Sequence, residues 1–74
     1  MQVTVKLFAF FRDNRFKVKD LIFEEGTTVA MIIESLGIPQ AEVGVIMRNG
    51  RHCKPETVPE EKDVLGIFPV IGGG

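Results

Sequence analysis

The sequence predicts a two-layer α+β domain: a mixed sheet of four to five strands with one helix packed across one face. Three observations lead there. Val3, Val5, Leu7 and Ala9 recur at period two, the mark of a strand. Val29, Ile32, Ile33 and Leu36 fall at i, i+3, i+4 and i+7, the apolar stripe of a short amphipathic helix. Residues 55–62 contain Pro55 and Pro59, which leaves no room for a second helix.

The first strand puts Val3, Val5, Leu7 and Ala9 on its core face and Thr4, Lys6, Phe8 and Phe10 on the other. Asp13-Asn14 supplies turn chemistry. Phe16 and Val18, alternating with Lys17 and Lys19, begin a second strand paired antiparallel to the first. Its parity falters at Leu21-Ile22-Phe23, where a bulge or a strand end is expected. Thr28 is the expected helix N-cap, its hydroxyl accepting an orphan backbone N–H. Gly37 suits the left-handed position after the helix and Pro39 bars its continuation, which places the helix near residues 29–36. So short a helix is unstable alone and must lie on a sheet. Val43 to Asn49 reads as the third strand and Asn49-Gly50 as a type I′ hairpin turn. Arg51-His52-Cys53-Lys54 is then a short return strand stopped by Pro55. Glu60-Glu61-Lys62-Asp63 reads as a polar turn, and Val64 to Phe68 as the last strand, closed by Pro69.

A hairpin, a helix across one face and further strands beside the hairpin make the β-grasp, or ubiquitin-like, arrangement. A ferredoxin-like sandwich is set aside because it needs the second helix. The 74 residues allow one domain, expected at residues 1–69, with a flexible C-terminal glycine tail at residues 70–74. A chain of this size buries roughly 60% of the surface it exposes when unfolded. That supports one core, but not a core plus a deep catalytic pocket. With 45% hydrophobic residues, 26% charged residues and a net charge of −1, the composition is that of a folded chain rather than a disordered one.

The same counts exclude several classes of function. Cys53 is the only cysteine, so neither an intramolecular disulfide nor a Cys-rich metal site can form, and a reducing, cytoplasmic location is expected. No signal-peptide pattern opens the sequence, and no apolar run approaches the ~18 residues of a membrane span. Residues 1–23 carry five basic and two acidic side chains, a balance of +3, while residues 24–74 stand at −4. Nucleic-acid binding calls for a larger basic excess, so neither nucleic acid nor a membrane is an expected partner. His52 is the only histidine, and no serine or cysteine has an identifiable acid–base set. His52 and Cys53, adjacent on a strand, point to opposite faces and form no dyad. The carboxylates of residues 60–63 are expected to stay solvated rather than hold a cation. These residues predict no catalytic group, no metal and no bound cofactor: the chain is not expected to be an enzyme by itself.

The three glycines at Gly72, Gly73 and Gly74 follow an apolar Pro69-Val70-Ile71 segment rather than a serine-rich linker. Six residues beyond Phe68 reach at most ~20 Å. Glycine can thread a narrow channel and adopt backbone angles closed to other residues. A terminal carboxylate is an anion at neutral pH and a poor electrophile. Activation with ATP would give it a good leaving group, and a sulfur or amine nucleophile could then take the acyl group. All of that catalysis would belong to a partner.

Several stretches together resemble the sulfur-carrier family of β-grasp proteins: the molybdopterin synthase small subunit and the thiamine sulfur carrier (MoaD/ThiS-like). They are Val5-Lys6-Leu7-Phe8-Ala9-Phe10-Phe11-Arg12, Gly26-Thr27-Thr28-Val29, Val45-Ile46-Met47-Arg48-Asn49-Gly50-Arg51, Asp63-Val64-Leu65-Gly66-Ile67-Phe68-Pro69 and the terminal Gly73-Gly74. The resemblance implies that a ubiquitin-activating-like adenylyltransferase (MoeB/ThiF-like) adenylates the Gly74 carboxylate with ATP. Sulfur from a persulfide donor then makes a thiocarboxylate. The sulfur passes to the pterin precursor on the large subunit of molybdopterin synthase, or to thiazole synthase in a thiamine-type carrier. A ubiquitin-like modifier, joined through Gly74 to lysines of target proteins, is the alternative. The sequence departs from the molybdopterin pattern at Val70, where a second proline is common, and at Gly72, where Ala or Ser is common. If Gly72-Gly73 were the reactive pair, Gly74 would need trimming. The extended Phe8-Ala9-Phe10-Phe11 stretch favours the molybdopterin group over the shorter thiamine carriers.

Docking is expected near the tail. Val70 and Ile71 lie beyond the last strand, and Phe68, Pro69 and one face of the third strand, either Ile46 or Val45 with Met47, would extend them into an apolar patch. Arg48 would supply a rim charge, which tunes encounter rate more than affinity.

Overall fold

The computed structural model describes residues 1–71. Five strands form one mixed sheet: β1 (Gln2–Leu7), β2 (Val18–Ile22), β3 (Val43–Arg48), β4 (Arg51–His52) and β5 (Val64–Pro69), in the spatial order β2-β1-β5-β3-β4. β1 and β5 are parallel, and every other neighbouring pair is antiparallel. The helix α1 (Val29–Ser35) lies across one face. This is the β-grasp arrangement that the sequence predicts.

The core fills the space between α1 and that face. Val3, Val5 and Leu7 of β1, Leu65 and Ile67 of β5, Ile46 of β3, and Val29, Ile32 and Ile33 of α1 are buried, together with Phe11 and Ile38. The period-two reading of β1 therefore holds as far as Leu7. It fails at position 9 for a backbone reason: Ala9 has φ +52° and opens a 3-10 turn, Ala9–Arg12, that rolls Phe11 into the core and leaves Phe10 half exposed. The strand is shorter than the sequence suggests.

β2 also departs from expectation. Val3 pairs with Leu21 and Val5 with Lys19, so Lys19 and Leu21 share the helix side while Val18 and Ile22 face outward. The strand ends at Ile22 without a bulge. The bulge lies instead in β3, between Val43 and Val45.

α1 begins where its sequence predicts and ends one residue earlier, at Ser35. The Thr28 hydroxyl accepts from the Met31 N–H at 3.1 Å. At the other end Gly37 has φ +74°, its N–H donates to Glu34 O at 2.9 Å, and the Ile38 N–H donates to Ile33 O at 3.4 Å. This is a Schellman motif, sealed by the buried Ile38. Arg15 adds to it from across the domain, donating to the Leu36 and Gly37 carbonyls at 2.9 and 3.0 Å.

Asn49 (φ +51°) and Gly50 (φ +82°) make the tight turn between β3 and β4, as expected for type I′. The return strand is only Arg51–His52, half the predicted length, because Cys53 already turns in to pack against the core. No described helix is long and apolar enough to cross a membrane.

Candidate interaction face

The sheet face opposite α1 carries the candidate site. Strand parity sends Ile46 inward, opposite Ile67, and sends Val45 and Met47 outward, opposite Phe68 and Gly66. On β1 the same parity puts Lys6 opposite Gly66, and Phe8 follows it at the strand end. Phe8 and Phe68 stack nearly parallel, with centroids 4.0 Å apart and planes 8° from coplanar. Gly66 lies beneath that stack: a Cβ there would lie 3.4 Å from each ring and 3.7 Å from the Met47 Cβ, at ordinary van der Waals contact.

Beside the stack an open apolar groove of about 710 Å³ runs along Val43, Val45, Met47, Phe68, Val70 and Ile71. Val45 is 36% exposed, Val70 58% and Ile71 80%. Large apolar side chains this exposed and this contiguous are the signature of an interaction surface. Basic groups flank the face. Lys6 lines it beside Phe8, the Arg12 guanidinium lies 5.4 Å from the Phe8 ring centroid, and His52 pairs with Met47. The chain has ten acidic residues, yet none lines either hollow of this face.

The predicted site residues divide into three sets. Met47, Phe68, Val70 and Ile71 come together along the groove, and Pro69, itself buried, lines the same groove from within the strand. Arg48 is placed elsewhere. Its Nε donates to Asp63 Oδ2 at 2.6 Å and its Nη2 to Glu60 Oε1 at 2.9 Å, on the side of β3 away from Met47. Those two bonds, to Asp63 and then to Glu60, raise its pKa above the ordinary guanidinium value. Gly72, Gly73 and Gly74 lie outside the described residues.

Asp63 corrects the reading of residues 60–63 as a solvated turn. Its carboxylate is buried and accepts from Arg48, from the Glu60 N–H at 2.8 Å and from Asn49 Nδ2 at 2.9 Å. Asn49 Oδ1 in turn accepts from the Val64 N–H at 2.8 Å. The network ties the β3–β4 turn to the start of β5 and so holds the two strands that carry the face. Burial alone would raise the Asp63 pKa, but the bonds from Glu60, Asn49 and Arg48 outweigh it and hold the carboxyl below its ordinary range. The Cys53 thiol, by contrast, has its pKa pushed up by burial. Among the described residues no group of three or more His, Cys, Asp or Glu side chains could hold a metal ion.

Phe8, Lys6, Arg12 and Gly66 belong to the face but were not singled out for it from sequence. A signal was present for Phe8 and Phe68: each has the parity opposite to the core residues of its own strand. Arg12 reaches the face only through the 3-10 turn, which no pattern announces.

Comparisons with known proteins agree with this geometry. A Pyrococcus furiosus protein provisionally named molybdopterin converting factor, subunit 1, superposes with a TM-score of 0.78 at 25% identity, covering 96% of this chain and 99% of the other. Haloferax volcanii small archaeal modifier protein 1 superposes at 0.75 with 17% identity, covering 95% and 98%. A complex of subunits 1 and 2 of the molybdopterin-converting factor from Helicobacter pylori gives 0.68 at 18% identity, covering 100% of both chains. The last two show the fold alone. No curated protein sequence matches the chain. The family model described as Mut7-C ubiquitin matches residues 1–72, nearly the whole chain. The chain belongs to the Mut7-C ubiquitin family.

Proposed function

We propose that this chain is a carrier or modifier of the ubiquitin-like kind, which docks through its apolar sheet face and presents the Gly74 carboxylate to a partner for activation. The observation that carries the reading is the continuity of the Phe8, Met47 and Phe68 surface with Val70 and Ile71, the residues leading to the three glycines. A partner seated on that face lies within reach of the tail, since residues 71–74 span at most about 14 Å when extended. The chemistry follows from the carboxylate. Attack on ATP gives an acyl-adenylate and releases pyrophosphate, and a nucleophile then displaces AMP. Hydrosulfide would give a thiocarboxylate, and a lysine amine an amide.

The two outcomes share docking and activation and differ only in the nucleophile. The names of the structural neighbours cover both, since they include molybdopterin converting factors and a protein modifier. Sulfur donation to a pterin precursor, with the large subunit of a molybdopterin synthase as acceptor, is the finer form of the carrier reading. It draws on the Pyrococcus neighbour, at 25% identity.

The test uses the full chain with its co-expressed adenylating enzyme, ATP and sulfide. Intact-mass analysis should show the increase for exchange of one oxygen by sulfur. Tryptic peptide mapping of the cells should show target lysines branched with residues 63–74, the fragment left by cleavage after Lys62, if the chain is a modifier. A chain that yields neither product, and no ATP-dependent pyrophosphate release, is not a carrier or modifier.

A further inference from the structure

We propose that the β-bulge at Gly44 aims the carboxyl-terminal segment off the sheet, which makes Gly44 a positioning residue for whatever chemistry is done at that end. The functional consequence rests on the carrier or modifier reading; the geometry does not.

β3 and β5 change register between Val43 and Val45. Val43 faces Pro69 and Val45 faces Phe68, so Gly44 is the extra residue. Pro69 has no N–H to give to a regular ladder, and a bulge is where a sheet tolerates that loss. Gly44 is not in the left-handed region, unlike Gly26, Gly37 and Gly50, so space rather than φ selects glycine here. A Cβ on Gly44 would lie 2.8 Å from the Pro69 carbonyl oxygen and 3.0 Å from both the Pro69 carbonyl carbon and the Val70 Cα. All three are backbone atoms, so no side-chain rotation relieves the contact.

Past the bulge the Val70 N–H donates to Glu42 O at 2.9 Å. This bond holds Val70 against Glu42, the residue before β3, and sets the direction in which Ile71 leaves. A side chain at position 44 would push residues 69 and 70 off β3 and break it. Freeing those two residues adds only two residues to the four that follow them. By chain statistics alone, that dilutes the end only about twofold. A misplaced exit matters more, because a displacement of about 1 Å at a reacting centre can cost about a hundredfold in rate. A large loss of activity would therefore report on direction and not on length.

The test is Gly44→Ala and Gly44→Val in the full chain, read by amide hydrogen exchange and by activation kinetics with the adenylating enzyme that accepts the unaltered chain. Val70 protection should fall about tenfold or more while the Val5 and Ile67 amides keep theirs. The kcat for activation should fall by a similar factor, and KM should rise less, because Phe8, Met47 and Phe68 keep their places while Pro69 and Val70, which line the same groove, shift. If Gly44→Val disturbs the core amides, the smaller Gly44→Ala decides. Unchanged Val70 protection overturns the proposal, and so does full activation despite lost protection. If the unaltered chain is never activated, the carrier reading fails, and hydrogen exchange still decides whether the bulge anchors Val70.

Discussion

Asp63→Ala tests whether one buried carboxylate holds the strands that carry the interaction face. Asp63 is 7% exposed and accepts three hydrogen bonds. Its removal takes the carboxylate acceptor from the Glu60 N–H and the Asn49 amide, both on exposed residues that water can reach. Hydrogen bonds to a charged group contribute about 1.5–3 kcal/mol each, so at the low end losing these two costs about 3 kcal/mol. Arg48 adds little, because its guanidinium reaches solvent, where an ion pair is screened. At about 0.05–0.15 kcal/mol per residue, a domain this size has about 4–11 kcal/mol of stability in all. The variant should therefore lose about a quarter or more of its stability. At roughly 4–8 °C per kcal/mol, its Tm should fall by about 12–24 °C in scanning calorimetry. A fall below about 5 °C would refute the argument.

The same carboxylate sets a pH dependence. A group whose pKa is lowered on folding contributes stability that is complete above its unfolded value, near 3.9, and lost as pH falls through the folded value. Asp63 is of this kind. Thermal stability of the unaltered chain should therefore decline below about pH 4. Asp63→Asn, which cannot titrate, should start less stable and lack that part of the acid decline. An identical acid limb in the variant would place the titration elsewhere.

Three further predictions concern the face and its supports. Ala9→Gly relieves a left-handed alanine, so the urea midpoint should rise by the equivalent of about 0.5–1 kcal/mol; a fall would mean that the backbone there is unstrained. Phe68→Ala removes the stack on Phe8 and the floor of the groove. It should cost about 1–2 kcal/mol of stability but tenfold or more in partner affinity, measured by calorimetric titration, and unchanged affinity would move the docking site elsewhere. Lys6→Glu should slow association with the partner and weaken its salt dependence, with little effect on dissociation. A change confined to dissociation in stopped-flow or biosensor traces would remove Lys6 from the rim.

The sequence by itself was sufficient for the elements whose signals are local. Thr28, the 29–36 stripe, Gly37 and the Asn49-Gly50 turn each act within a few residues, through a cap, a period or a positive φ. It was also sufficient for the fold, because one helix and a set of short strands have few ways to bury a single core. What lay beyond it depends on contacts between residues far apart in the chain. Val18 and Val5 look alike as apolar strand residues, yet pairing register turns one out and the other in. Phe68 could be read as core or surface until Ile67 claimed the inward side. Asp63 read as a solvated turn residue because two of its three donors, Arg48 and Asn49, meet it only once β3 and β5 are side by side. Gly44 read as a strand interior because the backbone that excludes a Cβ there, at Pro69 and Val70, comes from the other end of the chain. Composition and periodicity record what each residue prefers, and only the packed chain determines which distant neighbour it meets.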